Sequence, residues 1–152
     1  MKKIITISLL AALSIMPLAA ANAATSKLIE LAKKESGEIS AKKLKIMLDK
    51  EEPVIILDVR EAEQRAEGEI FADEYFAITR GNLEFKVPNK IKNKDAVIVT
   101  FCRGGNRGAL AAQTLRKLGY KNAVSLKDGL RGWAEAGYPI ETGLGTTVLS
   151  KE

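Results

Sequence analysis

The chain has 152 residues, with 24 Lys and Arg against 19 Asp and Glu, a net charge of +5, one cysteine and no histidine. A surplus this small, scattered along the chain, gives no basis for nucleic-acid binding. A lone cysteine excludes an intrachain disulfide, and the lack of histidine excludes Ser-His-Asp and Cys-His nucleophile pairs, histidine-ligated zinc and an imidazole proton shuttle.

The first 23 residues read as a bacterial export signal. Lys2 and Lys3 form a positive start, Ile4 to Met16 an apolar run, and Ala21, Asn22 and Ala23 a small-residue cleavage pattern after Pro17. The alternative, an uncleaved anchor, is disfavoured because the run is shorter than the ~20 residues a spanning helix needs. No cysteine stands near the cut, so a lipid-modified terminus is not supported. The expected product starts at Ala24, is periplasmic or secreted without a membrane anchor, carries a net charge of about +3 once Lys2 and Lys3 are gone, and is long enough for one domain.

A short helix is expected over Thr25 to Lys34, stopped by Gly37, making residues 24–37 a helical extension. Ser40 is placed as the N-cap of a second helix running through Leu44, Met47 and Leu48 to about Lys50. "PVIILDV" after Glu52 is a continuous apolar, β-branched run, the mark of a strand buried on both faces. "REAEQRAEGEI" is charged and helix-prone, broken at Gly68, and Tyr75 to Thr79 reads as a short strand. Asp95 to Phe101 is a second buried strand, followed by the helix "RGALAAQTLRKLG" closed at Gly119. "NAVSL" is a third buried strand, and "GLRGWAEAG" a final helix ending at Gly137, with Trp133 as a core anchor. Strands alternating with helices point to an α/β domain with a mainly parallel central sheet flanked by helices. Its functional crevice should lie beyond the carboxyl ends of the strands.

Cys102 sits at that end, in "TFCRGGNRG". Gly104 and Gly105 allow successive amides to turn toward one centre, and the helix starting near Arg107 adds its positive end. With Arg103 and Arg107, and with Asn106 between them, the loop is suited to stabilise an anion on, or approaching, the sulfur. The alternative is a small buried cysteine at a tight turn, which would not need two flanking arginines. A nucleotide-type phosphate loop is excluded, because G-x-x-x-x-G-K-[ST] does not occur. No metal or cofactor is expected.

Three blocks in order carry a resemblance: "LDVR" at Leu57 to Arg60 with its flanks, "CRGGNRG" from Cys102, and "LKDGLRGWAEAGYPI" with Trp133. Over residues 38–142 the chain resembles the single-domain rhodaneses, or sulfurtransferases, in their secreted bacterial form, leaving 143–152 as a tail. It departs from the family at Gly68 to Asp73, where a Gly-His-Ile-Pro-Gly-Ala stretch is usual, and at Asp128, where glycine is usual. The resemblance implies a Cys102 nucleophile that takes sulfur from a small anionic donor such as thiosulfate and hands it to a thiol or cyanide, or exchanges it with a protein persulfide partner. It implies that Arg103, Gly104, Gly105, Asn106 and Arg107 surround the sulfur, with Arg103 outermost and Arg107 anchoring the loop, and that Arg80 lines the mouth unless it is a solvated surface charge. Asp58 and Arg60 either pair to hold the loop or touch substrate. Related cysteine phosphatases and arsenate reductases share the fold. The four residues between Cys102 and Arg107 match the sulfur-handling members, whereas the phosphatases place five there. A persulfide carrier without efficient thiosulfate turnover needs the same nucleophile and loop, so it stays open as an alternative.

Overall fold

The computed structural model describes residues 18–148, so the segment 1–17 of the expected export signal lies outside the described residues. Helix α1 (Leu18–Ser36) leads into the edge strand β1 (Glu38–Ile39), helix α2 (Ala41–Asp49) and strand β2 (Ile55–Asp58). A 3-10 segment (Ala62–Glu67) precedes β3 (Glu74–Ala77), and helix α3 (Leu83–Lys90) precedes β4 (Ile98–Phe101). Helix α4 (Asn106–Lys117), β5 (Ala123–Leu126), α5 (Gly129–Glu135) and the hairpin β6 (Ile140–Thr142) and β7 (Gly145–Thr147) complete the order.

Five strands form one sheet in the order β1-β5-β4-β2-β3, and every neighbouring pair is parallel. β2, β4 and β5 are central and apolar on both faces, as expected of strands covered by helices on each side. Ile55, Leu57, Ile98 and Ala123 pack with Leu83, Val87, Ala111 and Leu115 of α3 and α4 on one face. Ile56, Val99 and Leu126 pack with Leu44, Leu130 and Trp133 of α2 and α5 on the other. α1 lies against α4, where Ala32 and Ser36 are buried. No helix among the described residues is long and apolar enough to cross a membrane.

Four local features differ from the sequence expectation. The charged segment after β2 forms a single 3-10 run rather than an α-helix, because its Gln64 carbonyl and the Gly68 carbonyl accept from the Arg60 guanidinium at 3.0 and 2.7 Å. α3 was not expected, since it contains Pro88. β1 has two residues, too few for a periodic pattern. Residues 143–147 are no tail: they turn back as β7 on β6, whose Glu141 bridges to Glu69.

Candidate active site

The register of the sheet builds the site. Asp58 at the end of β2 lies beside Phe101 at the end of β4, so Cys102 emerges at the carboxyl edge of the sheet between β2 and β5. It is 2% exposed. Thr100 Oγ1 donates to the Gly108 carbonyl at 2.8 Å, pinning the first turn of α4 against the strand.

The loop is shaped from its far side. The α5 amides of Leu130 and Arg131 donate to the carbonyls of Cys102 and Arg103 at 2.9 and 3.0 Å. In a trans peptide the carbonyl of one residue opposes the amide of the next, so this clamp turns the Arg103 and Gly104 amides away from α5. Gly105 follows with φ 90° and caps α4. From Arg103 to Gly108, no amide has a hydrogen-bond acceptor among the described residues. Orphan donors grouped at a helix N-terminus have the chemistry to receive an anion beside the thiol. Close approach of α5 requires Gly129, at φ 58°, where a Cβ would lie 2.2 Å from the Cys102 carbonyl oxygen. Asp128 precedes it at φ 58°, the left-handed region where the family's usual glycine is at ease and which aspartate tolerates.

Asp58 and Arg60 form a buried pair at the base of the site, both at 0% exposure. Arg60 Nε lies 3.0 Å from each carboxylate oxygen and Nη2 2.7 Å from Oδ2, while the Arg60 amide donates to Oδ1 at 2.9 Å. Tyr75 donates its hydroxyl to Asp58 Oδ2 at 2.9 Å, and the guanidinium rests 5.1 Å from the centre of the Phe101 ring. Burial alone would lower the Arg60 guanidinium, but the hydrogen bonds and charge of Asp58 leave it raised. The Tyr75 phenol is raised strongly, first by burial and then by the Asp58 charge. With its guanidinium fully engaged in the interior, this pair touches the strand that carries the thiol through the Phe101 ring. Gln64 extends the contact: its carbonyl takes Arg60 Nη1, and its side-chain oxygen takes Arg107 Nη2 at 2.6 Å.

The remaining arginines separate. Arg103 is 68% exposed and points outward, with Nε 3.3 Å from Glu67 Oε1. Arg80 is not brought to the loop: its guanidinium reaches Glu84 at 3.0 Å and Thr114 at 2.8 Å. Thr114 is eight residues along α4 from Asn106, about 12 Å at 1.5 Å per residue. That pairing contributes to holding the Glu84 carboxyl below its usual range, against the opposing effect of burial. Gln64, Glu67 and the two α5 amides were missed by sequence reasoning. Only Gly129 carried a signal for the clamp.

A model of the rhodanese-like domain matches residues 40–136, covering both the Asp58–Arg60 block and the Cys102 loop. The chain belongs to the rhodanese-like family. A Bacillus subtilis relative named "Putative sulfur carrier protein YrkF" is 32% identical over 96 residues, which are 63% of this chain and 50% of that one, so the chain spans about half its length. The thiosulfate sulfurtransferase GlpE of Actinobacillus succinogenes is 29% identical over 105 residues, 64% of this chain and 85% of that one. Among solved structures, the 30 kDa polysulfide-sulfur transferase homodimer of Wolinella succinogenes matches with a TM-score of 0.65 at 26% identity, covering 86% of this chain and 92% of that chain. This rhodanese-like family comprises sulfurtransferases and sulfur carriers.

Proposed function

We propose that the protein is a sulfurtransferase that moves a sulfane sulfur from a donor such as thiosulfate to a thiophilic acceptor, a thiol or cyanide, through a persulfide on Cys102. The observation that carries this reading is the run of unengaged amides from Arg103 to Gly108 beside a thiol at the carboxyl edge of a parallel sheet. Cys102 Sγ attacks the outer sulfur of thiosulfate; the new S–S bond forms as the old one breaks, and the electron pair leaves on sulfite. The acceptor then attacks the terminal sulfur and the Cys102 thiolate departs, so the cycle needs no oxidant or reductant. Loop amides stabilise the negative terminal sulfur. Sulfite leaves without protonation, which suits a chain with no histidine.

Intact mass after exposure to thiosulfate tests the reading: one added sulfur on the wild type, none on Cys102→Ser. An equal gain in the variant would sink it. A persulfide carrier is the second reading, supported by the sulfur-carrier relative. Under it, Cys102 loads from a protein persulfide faster than it turns over thiosulfate. We also propose that the protein is exported and begins at Ala24, which N-terminal sequencing of the exported form checks.

A further inference from the structure

The Cys102 loop carries two guanidiniums, and neither is free. Arg107 is held by Gln64 at 2.6 Å. Arg103, the one exposed to solvent, is paired with Glu67 at 3.3 Å, and the second oxygen of that carboxylate lies 4.0 Å from Arg60 Nη1. Arg131, whose amide clamps the loop, is paired with Glu135 at 3.7 Å. The rim of an anion-binding loop therefore carries a fixed negative charge from Glu67, placed where Arg103 would meet the charged end of a donor.

We propose that Glu67 is a specificity-determining residue that disfavours doubly charged sulfur donors and favours donors of lower charge. The proposal rests on the sulfur-transfer reading and names the donor class of that site. A thiosulfate dianion must displace the Glu67 carboxylate from Arg103 and then sit beside it, so it meets lost pairing and like-charge repulsion together. A small alkyl persulfide brings a single negative sulfur, which the loop amides accept without calling on Arg103. Its transfer also balances: Cys102 Sγ bonds the terminal sulfur as the donor's S–S bond breaks, the electron pair leaves on the donor's inner sulfur, and that thiolate takes up the proton Cys102 gave up, so a thiol departs and the negative charge stays on the new terminal sulfur. Glu67 touches none of the reacting atoms in this scheme; it acts through Arg103.

The test compares thiosulfate with cysteine persulfide as donors to wild type, Glu67→Gln, Glu67→Asp, Arg103→Ala and the Glu67→Gln/Arg103→Ala double variant, reading sulfur on Cys102 and the KM and kcat for each donor. Glu67→Gln should lower KM for thiosulfate roughly two- to fivefold, the range set by one partly exposed charge pair. Its kcat and its persulfide kinetics should hold, Glu67→Asp should restore the wild-type ratio, and the gain should vanish in the double variant. Added salt should narrow the difference. An unchanged donor ratio in Glu67→Gln overturns the assignment while leaving sulfur transfer intact. A higher thiosulfate KM overturns it too, since Glu67 would then be orienting Arg103 rather than opposing the donor. No sulfur on Cys102 from either donor, in any variant, overturns the sulfur-transfer reading and this proposal with it.

Discussion

At the scale of single residues, the site depends on charges that never meet solvent. Breaking one partner of a buried ion pair costs about 3 to 5 kcal/mol, because the other is left uncompensated. Asp58 and Arg60 are such a pair, and Tyr75 supplies a further hydrogen bond to the carboxylate. Its phenol is raised above the ordinary value near 10. The folded chain keeps this proton at a pH where the unfolded chain releases it, so the contribution is whole below about pH 10 and is lost as pH rises beyond it. Tyr75→Phe should destabilise the protein by about 1 kcal/mol at neutral pH. It should also make urea midpoints fall less steeply than in wild type between about pH 9 and 11. Parallel slopes in the two proteins would show that the phenol is not what alkali senses.

At the scale of elements, α5 matters more for its backbone than for its side chains. Leu130 and Trp133 anchor it in the core, and its first amides set the direction of the loop peptides. Gly129→Ala would force a Cβ to 2.2 Å from the Cys102 carbonyl oxygen and 2.8 Å from that of Arg103. A left-handed alanine adds roughly 1 to 2 kcal/mol of its own. The helix would have to withdraw, releasing the clamp. Sulfur loading of Cys102 should slow by about a hundredfold, as expected when reacting groups are displaced by an ångström, while the far-ultraviolet circular dichroism keeps its native form. A variant that loads at the wild-type rate would separate the clamp from the chemistry. The long apolar runs of β2, β4 and β5 were legible in the sequence because burial on both faces leaves no polar alternation to misread. β1, β6 and β7, with two or three residues each, offer too short a pattern. α3 was hidden by Pro88.

At the scale of the whole molecule, the expected cut after Ala23 falls inside α1, yet Asn22 to Leu28 are exposed and contribute little to the core. A chain starting at Ala24 should melt like one that starts at Asn22. Starting at Gly37 removes Ala32 and Ser36 from their buried places against α4, and should cost about 2 to 4 kcal/mol in urea unfolding; equal midpoints for both truncations would make α1 dispensable. Cys102 and its glycines stood out in the sequence because nucleophile and turn residues are rare and adjacent. Glu67 and Gln64 did not, since in a charged surface segment nothing marks which side chain turns inward toward a loop some forty residues away. The clamp leaves less trace still, because backbone amides have no letter of their own. Its position also imposes a timetable on synthesis. Cys102 is made first, but the amides that shape its loop belong to residues 130 and 131, in a helix synthesised after β5. A nascent chain therefore carries its thiol before the backbone that turns the loop around it has been made.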